Sequence, residues 1–152
     1  MAPFGNFFLP GPTEVTEDVL AAQTRPMIGH RGKGMEELLA KIQPSLQRVF
    51  RTTRPVYISS SSATGLMEGS LRNGARRRVL SLVNGAFSDR FHKIALACGL
   101  EADALEAEWG GIHEPERVVE ALKGGQYDAV TVAHSETSTG ALNPIAELAR
   151  VV

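Results

Sequence analysis

The segment of this chain best suited to chemistry is a run of seven mostly polar residues, His134-Ser135-Glu136-Thr137-Ser138-Thr139-Gly140. It follows the β-branched, apolar run Ala129 to Ala133, which predicts a buried parallel strand. It precedes Asn143-Pro144, a signal for a turn and the start of a helix. In open α/β sheets, ligands bind where a strand ends and the next helix begins. The sequence therefore predicts that this run, called here the 134–140 motif, lies at a ligand-binding edge.

A second polar corner, Ser59 to Gly65, lies between another predicted strand and helix. Small residues let backbone N–H groups approach an anion, and a helix N-terminus adds partial positive charge. Ser62 and Thr64 supply hydroxyl donors. No lysine follows in the GxxxxGK[ST] pattern, so the corner predicts a phosphate site of another kind. The alternative is a helix cap within a serine-rich loop.

A third corner, Asn84 to Arg90, places Phe87 directly after a glycine turn. An aromatic ring there could stack on a flat ligand, although most phenylalanines serve in the core. All three corners lie beyond the ends of strands in one predicted sheet. That coincidence favours a shared ligand site over three separate structural roles.

Alternating short strands and helices must position these corners, and they predict an α/β fold. The expected architecture is a three-layer α/β/α arrangement around a doubly wound, mostly parallel sheet. The predicted strands are 56–59, 79–83, 102–108 and 127–133, and the predicted helices between and after them are 64–72, 88–98, 114–123 and one from residue 145.

The first 35 residues are rich in proline and glycine, which oppose long regular structure. A short helix ending near Gln23 is expected there, capped by Thr13 or Thr16. Helical spacing of apolar residues predicts a longer helix over residues 35–50, with a kink or break at Pro44.

Charge and hydrophobicity exclude some classes of function but do not identify one. A net charge of −1 over 152 residues gives no electrostatic footprint for nucleic acid or a membrane surface. No run reaches the roughly 18 apolar residues of a membrane span. No basic stretch precedes Phe7-Phe8-Leu9, so no signal peptide is expected and the predicted location is the cytoplasm.

Five motifs, in matching order and spacing, carry a resemblance to one family: Pro10-Gly11-Pro12, Met27 to Arg31, Ser62-Ala63-Thr64-Gly65, Val83 to Phe87 and the 134–140 motif. The chain resembles the class V aminotransferases and, within them, the serine–pyruvate and alanine–glyoxylate group. The resemblance implies the fold type I large domain, the cofactor pyridoxal 5′-phosphate (PLP) and a homodimer. It also implies transfer of an amino group from a small amino acid, alanine or serine, to glyoxylate or pyruvate.

The resemblance assigns roles to individual residues. Ser62, Ala63 and Thr64 match the loop that holds the PLP phosphate. Phe87 matches the aromatic residue stacked on the pyridine ring, where some relatives carry tryptophan. Thr137 matches the hydroxyl residue beside the phenolic oxygen of the ring.

The glycines of the N-terminal segment match parts of the family that face the substrate and the partner subunit. Gly11 and Gly29 are therefore expected on the substrate side. Residues 1–35 are expected to line the active site and the dimer interface, and residues 36–152 to form the first part of the PLP-binding domain.

In this family, the lysine that binds PLP covalently follows the 134–140 motif. So do the aspartate that pairs with the pyridine nitrogen and the arginine that grips the substrate carboxylate. We therefore expect this chain to be the N-terminal half of the large domain, without catalytic residues of its own and inactive alone.

Two other functions fit the polar corners. A non-catalytic phosphate- or nucleotide-binding module would use them as an anion site with no covalent chemistry. The chain could also be a purely structural remnant whose exposed sheet edge is normally covered by a partner. The polar corners would then only cap helices.

Overall fold

The computed structural model describes residues 9–152 and forms two compact units. The first unit extends to Ile58 and the second begins at Ser59. The first eight residues, including Phe7 and Phe8 of the expected N-terminal segment, lie outside the described residues. All three polar corners belong to the second unit.

The first unit contains two helices, α1 (Glu17–Ala22) and α2 (Lys33–Phe50). Thr16 occupies the N-cap position of α1, although its side chain makes no cap hydrogen bond within the described part of the chain. Pro44 lies inside α2, and the helix continues through it, so the expected break does not occur. Proline removes one backbone hydrogen bond, and the other bonds of an 18-residue helix remain.

The strand predicted at residues 56–59 is wrong, because this segment is irregular. The Gln43 side chain occupies both backbone groups of Val56: its Nε2 donates to the carbonyl oxygen at 2.7 Å, and its Oε1 accepts from the N–H at 3.0 Å. Tyr57 and Ile58 are 91% and 63% exposed, so they form no buried strand face. A side chain thus satisfies polar groups that a neighbouring strand would otherwise pair.

The second unit contains five strands, β1 (Arg78–Val83), β2 (Glu101–Glu106), β3 (Ala129–Val132), β4 (Ser135–Glu136) and β5 (Ala141–Leu142). The first three form a parallel sheet with the strand order β2-β1-β3. The two very short strands β4 and β5 form a separate antiparallel pair. The helices are α3 (Ala63–Gly74), α4 (Ala86–Ala97), α5 (Pro115–Lys123) and α6 (Ile145–Val151).

Side chains of the central strand β1 alternate between two apolar clusters, which lie on opposite faces of the sheet. Val79 packs in one cluster with residues of α3 and α4. Leu80 and Leu82 pack in the other with Val118 of α5 and Leu148 of α6. Helices therefore cover both faces of the sheet, and the predicted three-layer α/β/α fold is confirmed.

The 134–140 motif differs from the loop expected after the third parallel strand. Ser135 pairs with Leu142, and Glu136 with Ala141, so the motif is the turn of a small hairpin. Gly140 has φ +78°, a left-handed conformation that glycine adopts without strain. Strands of two residues are too short to leave a periodic pattern in the sequence.

No helix in the described range, residues 9–152, has the length and apolar character needed to cross a membrane.

The two-face packing predicts unequal effects of two leucine truncations. Leu82 is 1% exposed in the core, whereas Leu96 is 49% exposed on α4. Leu82→Ala should lower the free energy of unfolding by about 2–5 kcal/mol, because it leaves a cavity. Leu96→Ala should change it by about 0.5 kcal/mol or less. Urea unfolding of both variants measures the difference, and equal losses would contradict the assigned core.

Candidate functional site

The start of helix α3 presents unused backbone donors on an exposed surface. Ser62 is the N-cap residue, and its Oγ accepts a hydrogen bond from the Gly65 N–H at 3.4 Å. The N–H groups of Ala63 and Thr64 donate to no acceptor among the described residues. Such groups carry the partial positive charge of a helix N-terminus. The corner is therefore able to bind an anion as well as to cap the helix.

Packing fixes the position of the other end of α3. Leu71 and Ala75 pack with Val79, near the beginning of β1, and with Ala95, near the end of α4. The C-terminal end of α3 therefore lies at the N-terminal edge of the sheet. Twelve helical residues span about 18 Å, so Ser62 is separated from this packed end by the length of the helix.

A tight turn between β1 and α4 positions Phe87 in the first turn of the helix. The hydroxyl oxygen of Ser88 accepts hydrogen bonds from the N–H groups of Asn84 and Gly85, each at 3.0 Å. Ser88 is buried, whereas Phe87 is 39% exposed. The aromatic ring is thus partly accessible at the strand edge, on a backbone that Ser88 fixes.

The Glu136 side chain, fully buried at 0% exposure, is the central polar group of the site. Its Oε1 accepts from the Phe87 N–H (3.2 Å) and from the N–H and hydroxyl of Ser138 (3.2 and 2.6 Å). Its Oε2 accepts from the N–H and hydroxyl of Ser88, both at 2.8 Å. One carboxylate therefore connects the first turn of α4 to the hairpin.

These hydrogen bonds keep Glu136 ionised. Burial alone raises the pKa of its carboxyl, but the donors from Ser138, Ser88 and Phe87 together outweigh burial and lower the pKa from 4.5 to about 2. The negative charge lies at the N-terminus of α4, where the helix dipole favours it. The positive end of α4 is consequently occupied by the protein's own carboxylate, while that of α3 is open.

Gly85 is required by the close approach of Glu136. A Cβ atom at this position would lie 2.3 Å from Cγ of Glu136 and 2.6 Å from Oγ of Ser138. The backbone of Gly85 is extended, with φ 175°, so any residue could adopt its conformation. The absence of a side chain is what lets the carboxylate reach the helix.

Thr137 lies in the hairpin turn between two anchored neighbours. Glu136 holds the turn on one side, and on the other the Ser138 hydroxyl oxygen accepts from the Ala86 N–H at 2.9 Å. Thr137 itself is exposed. The structure thus brings the loop of Phe87 and the loop of Thr137 together, as the motif spacing predicts.

Two buried side-chain amides, those of Asn84 and Asn143, link the loops at this edge of the sheet. Asn143 donates to the Ala133 carbonyl at 2.8 Å and accepts from the His113 N–H at 3.0 Å. Asn84 donates to the Gly111 carbonyl at 2.8 Å. Two side-chain amides therefore connect loops that follow all three parallel strands.

Glu136, Ser88 and the buried amides Asn84 and Asn143 were not predicted from the sequence as parts of the site. The available signal was a carboxylate flanked by hydroxyl residues just after a buried strand, a setting in which burial requires several donors. Gly11 and Gly29 lie in irregular segments of the first unit, and their expected role stays a prediction. No group of acidic, His and Cys side chains within residues 9–152 has the arrangement of a metal site.

The fold is an α/β domain with polar loops at one edge of its parallel sheet, and the known proteins that the chain resembles are aminotransferases. No model of a known protein family matches the chain. An uncharacterized aminotransferase of Methanocaldococcus jannaschii is 44% identical over 147 residues, which are 95% of this chain and 38% of the relative.

Two solved structures have the same fold over the matched part. An aspartate aminotransferase of subgroup IV from Thermus thermophilus has a TM-score of 0.84 at 37% identity, over 94% of this chain and 40% of that one. An alanine–glyoxylate aminotransferase from Nostoc sp. has a TM-score of 0.85 at 30% identity, over 93% and 39%. The chain spans about two fifths of the length of these relatives. The resemblance to aminotransferases is confirmed.

The contact between Gly85 and Glu136 predicts opposite effects of two glycine substitutions. Gly85→Ala should lower the free energy of unfolding by about 1–3 kcal/mol, because its methyl group overlaps Glu136. Gly69, inside α3, has open space around its Cβ position. Gly69→Ala should raise stability by up to about 1 kcal/mol through helix propensity. Chemical denaturation of the pair tests this, and a neutral Gly85→Ala would contradict the close approach.

The lowered pKa of Glu136 predicts a specific loss of stability in acid. A carboxyl whose pKa is lower in the folded state stabilises the fold above its ordinary pKa and loses that effect as pH falls toward the folded value. The window therefore runs from about pH 4.5 down to about 2, and the effect totals about 3 kcal/mol.

Glu136→Gln removes this titration while other carboxyl groups still titrate in both proteins. The difference in unfolding free energy between wild type and Glu136→Gln should therefore shrink as pH falls through the window. Urea denaturation at several pH values measures it. A difference that stays constant with pH would show that Glu136 is not held as an anion.

Proposed function

We propose that this chain forms the phosphate- and ring-binding part of the cofactor site of a PLP-dependent aminotransferase. The whole protein would transfer an amino group from a small amino acid, alanine or serine, to glyoxylate or pyruvate. The observation that carries the proposal is that Glu136 holds the accessible ring of Phe87 and the hydroxyl-bearing turn of Thr137 together at one strand edge. The open N-terminus of α3 adds an anion site. The similarity to aminotransferases over nearly the whole chain supports it.

The phosphate would bind at Ser62, Ala63 and Thr64. These residues fit a phosphate group because they offer free N–H groups and hydroxyls on an exposed helix start. The start of α4 is less suitable, since the Glu136 carboxylate already takes up its donors. Of these two helix N-termini, that of α3 is thus the better phosphate site.

The pyridine ring would lie between Phe87 and the hairpin, with its face on the aromatic side chain and its phenolic oxygen near the Thr137 hydroxyl. The partial exposure of Phe87 and the exposure of Thr137 are compatible with this arrangement. When bound, PLP supplies the electron sink for amino-group transfer. The chain's own residues bind the phosphate and orient the ring.

The covalent lysine would come from a part of the enzyme beyond these residues. All four lysines of the chain lie on helices, and three form ion pairs on exposed surfaces, Lys33 with Glu37, Lys93 with Asp89 and Lys123 with Glu120. The two lysines of the second unit, Lys93 and Lys123, lie outside the loops that carry Phe87 and Thr137. The aspartate for the ring nitrogen and the arginine for the substrate carboxylate are assigned to that other part as well.

The proposed enzyme is a cytoplasmic homodimer in which Gly11 and Gly29 face the substrate side. Helix α2 has no buried residue, and it exposes Leu38, Leu39 and Val49. Apolar residues on one helix are typical of a surface that another chain covers. The non-catalytic phosphate-binding module is not favoured, because the relatives reported above are aminotransferases over nearly all of this chain.

Pyridoxamine 5′-phosphate tests this site directly, because it carries the phosphate and the ring but needs no lysine to bind. We expect the purified protein to bind it, detected through the fluorescence of Trp109, the single tryptophan. Pyridoxamine without phosphate should bind much more weakly. Phe87→Ala should weaken binding about tenfold, through loss of the stacked ring, and Phe87→Trp should retain it.

Leu96→Ala is the matched control, because it truncates an exposed apolar side chain at the other end of α4. Its affinity for pyridoxamine 5′-phosphate should equal that of the wild type. Absence of binding by the wild type, or equal affinities of Phe87→Ala and wild type, would contradict the proposed function.

A further inference from the structure

We propose that Glu136 is a positioning residue for the cofactor ring, which sets the first turn of α4 and the 134–140 hairpin relative to each other. The inference rests on the proposed function of the site. Glu136 touches neither the ring nor the phosphate in this proposal. It acts through Phe87 and Thr137, the two residues assigned to opposite parts of the ring.

The hydrogen bonds of Glu136 are distributed between the two loops. From the α4 side, Phe87 donates one bond and Ser88 donates two. From the hairpin side, Ser138 donates two, at 3.2 and 2.6 Å. The Ser138 hydroxyl also accepts from the Ala86 N–H at 2.9 Å, which adds a second connection between the loops. A shift of either loop would therefore break bonds at the shared carboxylate.

Only a carboxylate on a side chain of this length satisfies these donors. Both oxygens of an ionised carboxylate accept and neither donates. The amide of a glutamine would direct an NH2 group at N–H or O–H donors, and buried donors without acceptors are costly. An aspartate is one methylene shorter and would not reach both loops. The Glu136 side chain also passes directly over Gly85, where a Cβ atom would overlap its Cγ atom, so its path is fixed.

The phosphate corner at Ser62 to Thr64 is independent of this arrangement. Ser62 caps α3 through the Gly65 N–H, and the reported hydrogen bonds of Glu136 involve only α4 and the hairpin. Loss of the Glu136 carboxylate should consequently disturb binding of the ring and spare binding of the phosphate group. A merely structural role would weaken both.

The test compares two ligands on the purified protein at neutral pH. Pyridoxamine 5′-phosphate is titrated by Trp109 fluorescence, and its induced circular dichroism reports whether the ring is held in one orientation. Inorganic phosphate is titrated by phosphorus NMR. We expect Glu136→Gln to weaken binding of pyridoxamine 5′-phosphate at least tenfold and to reduce the induced dichroism, with unchanged affinity for inorganic phosphate.

Glu147→Gln is the matched control, because it makes the same charge change on an exposed residue of α6. It should behave as the wild type with both ligands. Ser138→Ala leaves the carboxylate in place and removes one of its donors. It should give an intermediate loss of affinity for pyridoxamine 5′-phosphate. If Glu136→Gln does not fold, the result with Ser138→Ala decides whether Glu136 has the positioning role.

The outcomes separate this inference from the proposed function. If the wild type does not bind pyridoxamine 5′-phosphate, the proposed function fails and the positioning role fails with it. If the wild type binds and Glu136→Gln has the same affinity and dichroism, only the positioning role is wrong. A parallel loss of both ligands would also overturn it, in favour of a purely structural role.

Discussion

The site of this protein depends on one buried carboxylate that five hydrogen bonds satisfy. The Glu136 carboxylate is shielded from water and accepts hydrogen bonds from two loops instead. It stays ionised because these bonds lower its pKa by more than burial raises it. This arrangement works only if Gly85 has no side chain and if Ser88 and Ser138 direct their hydroxyls inward. Three positions spread over two loops are therefore constrained by a single charge.

The parallel sheet makes this interaction possible. The hairpin and the first turn of α4 follow β3 and β1, which are adjacent strands running in the same direction, so both loops emerge at one edge. The N-termini of α4 and α3 serve different purposes. The start of α4 is neutralised internally by Glu136, whereas the start of α3 keeps free donors for a ligand. This division explains how a chain with little net charge could hold a phosphate.

The fold was largely predictable from the sequence, because β1 and β3 are β-branched or leucine-rich runs bounded by clear turn residues. The strand predicted at residue 56 was wrong, since side-chain bonds from Gln43 replace strand pairing and no periodicity reveals them. Of the site, the three corners were predictable from their place beyond strand ends. Glu136 was not, because its role depends on donors 48 and 49 residues away in sequence. The N-terminal glycines stay predictions.

The central claim is that a phosphate binds at the start of α3 while a ring lies between Phe87 and Thr137. Backbone amide chemical shifts of the isotopically labelled protein test it most directly. Inorganic phosphate should shift the amides of Ala63 and Thr64 alone, and pyridoxamine 5′-phosphate should shift these together with those of Phe87 and Thr137. Identical sets of shifted amides with the two ligands, or shifts confined to other parts of the chain, would contradict the account.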